Sequence, residues 1–177
     1  MGDQEIIRDI VKKYKGKIND KYIYFHPDIP FKKFKNVQKS YAKGIGAGEA
    51  LILIDNTTFG SAKDGALFTD RAIYAHNMMS PMQKFSYRDI RNAVFMPGLT
   101  SNLVINGVKF LETNFASQPA MTILTQMINE IIDAFKEPKT EEKSPAEALK
   151  ELKTLYEQGL LTEFEYENKR KKYIDLL

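Results

Sequence analysis

The sequence predicts an α+β chain: a seven-stranded β-barrel or sandwich capped by a C-terminal helix, with helices before it and a helical hairpin after it. Three observations carry this. Between Ala50 and Glu112, short apolar runs alternate with turn residues at the spacing of an all-β sandwich or barrel. From Pro119 to Lys136 the apolar period changes to that of a helix. Beyond Glu137, two helix-length segments are punctuated by capping residues and one glycine.

The stretch from Ala50 to Asn77 organises the rest. Ala50-Leu51-Ile52-Leu53-Ile54 is too short for a globular helix and rich in isoleucine, so it reads as a buried strand ended by Asp55-Asn56. Thr57 to Asp64 is a polar loop. Gly65 opens a second strand, Ala66-Leu67-Phe68-Thr69, and Ala72-Ile73-Tyr74-Ala75 returns after an Asp70-Arg71 turn. Met82 to Tyr87 and Ala93 to Met96 continue the series, the latter ended by Pro97-Gly98. Leu103-Val104-Ile105 and Val108 to Leu111 flank Asn106-Gly107. That pair tolerates positive φ and marks a type I′ hairpin. Met121, Leu124, Ile128, Ile131, Ile132 and Phe135 then form one helical stripe, suited to closing an open end of the β-structure.

The first 48 residues hold all the excess positive charge. They have 11 Lys+Arg against 5 Asp+Glu, a net of +6 in a chain whose total is +3. A short amphipathic helix is expected between Asp3 as N-cap and Gly16 as C′ stop, with Ile6, Ile7, Ile10, Val11 and Tyr14 at helical spacing. Tyr22 to Phe25 reads as a small strand. Phe31 to Lys43 reads as a second helix, with Phe34, Val37 and Tyr41 on one side and Lys32, Lys35, Lys39 and Lys43 on another. The organisation expected is a basic N-terminal extension (1–48), a β domain with its capping helix (49–136), a charged linker (137–144) and a helical hairpin (145–177).

The 177 residues contain no cysteine, which excludes disulfide and thiolate chemistry and fits a reducing compartment. Apolar runs reach about five residues, where a membrane helix needs roughly 20. The N-terminus is acidic and lacks a secretory h-region, and Ile6 stands where a myristoylation motif has Ser or Thr. The expectation is a cytoplasmic protein. Gly44-Ile45-Gly46-Ala47-Gly48 precedes a strand and is followed by Glu49, so it fails the dinucleotide fingerprint. Gly60 to Gly65 lacks the Gly-Lys-Ser/Thr of a P-loop. His26 and His76 have no ligand spacing about them and read as surface or strand-end residues. Ser61 and Lys63 can share a side of extended backbone, but nothing nearby supplies an oxyanion hole. Met78, Met79 and Met82 offer a soft contact surface or, as methionines do more often, fill gaps in the core. No catalytic residue, cofactor or metal ligand is expected, and the chain reads as non-enzymatic.

At the C-terminus, Ser144-Pro145-Ala146-Glu147 is a capping box with proline at N1. Leu149, Leu152, Leu155 and Tyr156 follow at helical spacing, Gly159 stops the helix, and Thr162 to Glu165 is a second capping box. Leu152 and Leu155, the joint Gly159-Leu160-Leu161-Thr162, Glu165-Tyr166, Lys169 and Leu176 resemble the SHOCT (short C-terminal) domain, over about a sixth of the chain. Glu49 to Lys136 is similar to a bacterial pleckstrin-homology-like (PH-like) domain in its order of elements and in the run from Phe59 to Tyr74. These resemblances imply a bacterial or phage-derived protein with oligomerising or targeting roles and no catalytic residues.

Two functional classes follow. The first is an interaction or assembly protein. Two short helices bury too little to stand alone, so Leu149, Leu152, Leu155, Leu160, Leu161, Phe164, Tyr166 and Tyr173 must cover the parent domain, a second copy or another protein. The second is a protein binding acidic lipid or nucleic acid through Lys32, Lys35, Lys39 and Lys43. The preferred reading of that lysine row is an ordinary solvated face, because long lysines commonly play that part, and the aromatics between them, Phe34 and Tyr41, are expected to face the core rather than share the lysine face.

Overall fold

In a computed structural model of the chain, residues 2–136 and 145–174 are described, with the backbone alone for 145–147. The expected linker, Ser144 of the first capping box, and Leu176 and Leu177 lie outside the described residues. The chain divides into two compact units, Met1–Phe135 and Lys136–Leu177.

The first unit is α+β. Its elements in order are α1 (Asp3–Lys15), β1 (Ile23–Phe25), α2 (Phe31–Ser40), β2 (Ala50–Asp55), β3 (Gly65–Thr69), β4 (Ala72–His76), β5 (Gln83–Ser86), a 3₁₀ turn (Tyr87–Asp89), β6 (Ala93–Met96), β7 (Ser101–Ile105), β8 (Val108–Thr113) and α3 (Gln118–Phe135). The strands form two antiparallel sheets, β1-β2-β3-β4-β5 and β6-β7-β8. Asn106 and Gly107 both take positive φ in the β7–β8 turn, as an Asn-Gly hairpin requires.

Of the barrel and the sandwich expected, a closed barrel is not formed. Closure needs backbone pairing between the two sheets, but side chains occupy the β8 groups that would supply it. Asn56 Nδ2 donates to the Glu112 carbonyl (2.6 Å), and the Asn114 N–H donates to Asn56 Oδ1 (2.9 Å). Asn77 Nδ2 donates to the Phe110 carbonyl (3.0 Å), and the Glu112 N–H donates to Asn77 Oδ1 (2.8 Å). Two asparagines thus tie β8 to the larger sheet where a barrel would have a strand ladder.

The three central strands of the larger sheet, β2 to β4, are buried on both faces, which is why β2 reads as a continuous apolar run rather than an alternation. Ile52, Ile54, Phe68 and Ile73 face a core shared with Leu103, Ile105 and Phe110 of the smaller sheet, Ile7 and Val11 of α1, and Met121, Leu124, Ile128 and Ile131 of α3. Leu53, Leu67 and Tyr74 face the other way, onto Phe34, Val37 and Tyr41. The first 48 residues are built into this unit: α1 joins the first core, β1 pairs with β2 (Tyr24 opposite Leu53), and α2 covers the second face. α1 begins after Gly2, so Asp3 is its first residue rather than its cap.

Two side chains fasten α3. Asn129 Oδ1 accepts from the Ala93 N–H (3.1 Å) and its Nδ2 donates to the Ala93 carbonyl (2.9 Å), standing in for a neighbouring strand along β6. Glu130 accepts from Lys13 Nζ (2.7 and 2.8 Å) and from the Tyr14 hydroxyl (2.8 Å) of α1. The Lys13 bond, then the Tyr14 bond, hold the Glu130 carboxyl below its ordinary value. A depressed carboxyl contributes stability above its unfolded pKa, and that stability is lost as pH falls through the folded one. Glu130→Gln is therefore expected to cost up to about 1 kcal/mol near neutrality, the pair being partly solvated, and the difference from the parent should vanish in acid. Urea titrations across pH measure it.

Candidate functional site

α2 carries three different faces on ten residues. Pro30 precedes it and fixes its entry. Phe34 and Val37 point into the second core. Lys33, Asn36 and Ser40, at spacings of three and four, point to the loop between β2 and β3 and bind its backbone. Lys33 Nζ donates to the Gly60 carbonyl (2.5 Å), Asn36 Nδ2 to the Ser61 carbonyl (2.8 Å) and the Ser40 hydroxyl to the Lys63 carbonyl (2.9 Å). The third face is open. Phe31, Lys35 and Lys39 form one i, i+4, i+8 ridge with Lys32 beside it, all exposed.

Two sequence expectations change here. The helix stops at Ser40 rather than Lys43, because Tyr41 leaves helical geometry at φ −128°; Lys43 is exposed beyond it. Phe34 and Tyr41 are buried as expected, but the lysine face does hold an aromatic. Phe31 is 71% exposed, and Lys35 Nζ lies 5.3 Å from its ring centroid. Among the described residues no carboxylate lies within ion-pair reach of Lys32, Lys35, Lys39 or Lys43.

The loop that α2 holds is centred on Asp55, whose side chain is fully buried. Asp55 accepts from Lys33 Nζ, from the Thr57 N–H (3.0 Å) and hydroxyl (2.5 Å), and from the Ala62 N–H (3.1 Å). In sequence Asp55 does no more than end a strand. Ser61 and Lys63 serve as backbone acceptors in this fastening. His76 ends β4 as expected, but it is not solitary: its Nδ1 lies 2.7 Å from Asp64 Oδ1 and its ring stacks on Tyr41 at 6.0 Å. Burial, then the charges of Asp55 and Asp64, push the Tyr41 hydroxyl far above its ordinary pKa. Beside the loop lies an open cleft of about 560 Å³ whose walls include Thr57, Phe59, Lys63, Asn77, Met78 and Lys109. The core-filling expectation for the methionines is overturned. Met78, Met79 and Met82 are all exposed, because they lie in the β4–β5 connection outside both clusters.

The second unit is described by itself. It is a hairpin of α4 (Pro145–Glu157) and α5 (Glu163–Ile174). Gly159 takes φ +70°, and the bonds from the Gly159 N–H to the Tyr156 carbonyl and from the Leu160 N–H to the Leu155 carbonyl make a Schellman stop. The Thr162–Glu165 capping box forms: the Thr162 N–H donates to Glu165 Oε2 (3.0 Å) and the Glu165 N–H to Thr162 Oγ1 (3.3 Å). Tyr156 stacks on Tyr166 at 4.6 Å. Leu152 is buried; Leu149, Leu155, Leu161, Tyr166 and Tyr173 are half-buried. Leu160 and Phe164 are 66% and 78% exposed.

Compared with known proteins, the chain matches no protein-family model, no curated protein and no solved structure.

Proposed function

We propose that this chain is a non-enzymatic assembly protein, in which a PH-like scaffold carries a SHOCT-like hairpin that pairs with the hairpin of a second copy. Seven consecutive strands followed by one long helix support the scaffold reading, and the capped Gly159 joint supports the hairpin reading.

The observation that carries the pairing is the outer face of α5. Phe164, Glu165, Asn168, Lys171 and Lys172 recur there at spacings of three and four, all exposed. The helix is acidic in its first half (Glu163, Glu165, Glu167) and basic in its second (Lys169 to Lys172). Such a helix is complementary to itself only when antiparallel. About a two-fold axis at Asn168, Glu165 of one copy lies opposite Lys171 of the other, and Phe164 opposite Lys172. That is the isologous geometry of a two-fold dimer, with an aromatic–cation contact at each end.

Light scattering after size exclusion tests it. The full chain is expected to be a dimer, and a chain ending at Glu137, which keeps the whole first unit, a monomer. Lys171→Glu with Lys172→Glu places like charges across the axis and is expected to raise the dimer Kd at least about tenfold. A full chain that is monomeric at high micromolar concentration, or a dimer indifferent to the charge reversal, rules the pairing out.

A further inference from the structure

The open face of α2 belongs to the first unit. The geometry points to an anionic lipid surface as its ligand, with Phe31 entering the interface and Lys32, Lys35 and Lys39 meeting the headgroups.

Four observations converge. The three lysines project from one side of a helix, without a carboxylate partner among the described residues, in the part of the chain with a net charge of +6. Phe31 shares their side and is solvated, although a phenylalanine gains nothing from water there. The helix cannot roll to hide it. Lys33, Asn36 and Ser40 fix its opposite side to the loop backbone, and Phe34 and Val37 fix its inner side to the core. Finally, Phe31 borders a small hollow of about 110 Å³ lined by His26, Pro27, Ile29, Phe34, Ala47 and Ala50.

These features favour lipid over nucleic acid. A base bound in a hollow needs hydrogen-bond partners at its edges, and this hollow offers one polar side chain, His26. Acyl methylenes and glycerol carbons need none. An aromatic at the headgroup level flanked by lysines is the pattern of an interfacial helix face. Each lysine beside an anionic bilayer raises partitioning by about fivefold.

The chain contains no tryptophan, so Phe31→Trp in the full chain makes a single reporter at an exposed position. It is titrated with vesicles of phosphatidylcholine alone and of phosphatidylcholine mixed with phosphatidylserine, at low and high salt. The expected result is a blue-shifted emission that saturates with the mixed vesicles at low salt, reverses in high salt and is absent with phosphatidylcholine alone. Adding Lys35→Gln and Lys39→Gln is expected to lower the partition coefficient about 25-fold. No shift with the mixed vesicles overturns the proposal. So does an equal shift with both kinds of vesicle, or a shift indifferent to the two glutamines, since the lysines would then have no part in it. A response to a single-stranded oligonucleotide without one to vesicles gives the surface to nucleic acid instead and also overturns it.

Discussion

Replacing Asp55 with alanine is expected to lower the free energy of unfolding by about 3–5 kcal/mol, because it takes from the half-buried Lys33 ammonium and from the Thr57 and Ala62 donors the carboxylate they share. Domains of this size are stable by only about 5–15 kcal/mol, so the urea midpoint should fall far enough to be unmistakable. The size of the effect follows from what Asp55 holds. Its fully buried carboxylate accepts from Lys33, from two groups of Thr57 and from the Ala62 N–H. Alanine removes the acceptor they share, while Lys33 keeps another, the Gly60 carbonyl. A variant carrying both Asp55→Leu and Lys33→Met is expected to recover part of the loss, since no unpaired charge remains. If the double variant is no better than Asp55→Ala, the ion pair is not what the site depends on. Burial alone would weaken the Lys33 charge, yet the bond and the attraction to Asp55 outweigh it and raise its pKa. A raised ammonium contributes stability that is complete below its unfolded value of about 10.4 and lost as pH climbs through the folded one.

The second large effect belongs to Gly65. Its φ is +137°, a conformation side chains rarely adopt, and a Cβ there would stand 2.0 Å from the Ile54 carbonyl oxygen. Nothing flexible can yield, because that oxygen belongs to the β2 backbone, paired with β3 in the register Asp55 opposite Gly65. Gly65→Ala is expected to cost about 4 kcal/mol, combining backbone strain with overpacking. Thermal unfolding followed by circular dichroism measures it. Gly107→Ala is the control: its φ is also positive, at +79°, but its Cβ meets nothing within 4 Å. A Gly65 variant no worse than the Gly107 one would show that the close approach to Ile54 costs little.

Much of this fold was legible because its signals are local. Apolar runs bounded by Gly, Pro, Asn and Asp mark β2 to β8, and the Met121-to-Phe135 stripe marks α3. The caps at Gly159 and Thr162 mark the hairpin joint. What was not legible depends on contacts between distant residues. Lys33 is one of four lysines on α2, and nothing in its neighbours tells it from Lys32; only the arrival of Asp55 singles it out. Phe31 matches the helical pattern of a core residue as well as Phe34 does, until the direction of the sheet decides which side is covered. The place of residues 1–48 in the first unit was hidden for the same reason. β1 is three residues long, and its ladder forms only on an edge of β2 built from sequence far beyond it. Asn56 reads only as the end of a strand and nothing in sequence singles out Asn77, because their task of fastening β8 requires β8 to be in place.

The manner in which α2 grips its loop has a consequence for how this chain can change. Lys33, Asn36 and Ser40 hold the carbonyls of Gly60, Ser61 and Lys63, and the side chains of Thr58, Phe59 and Lys63 stand exposed, outside the fastening. The loop keeps its shape through these main-chain bonds and through the Asp55 and Thr57 side chains, so a change at the three exposed positions leaves the fastening in place. Those three positions are therefore free to vary in chemistry at constant geometry. They are the positions at which a designer would place new side chains without touching the fold.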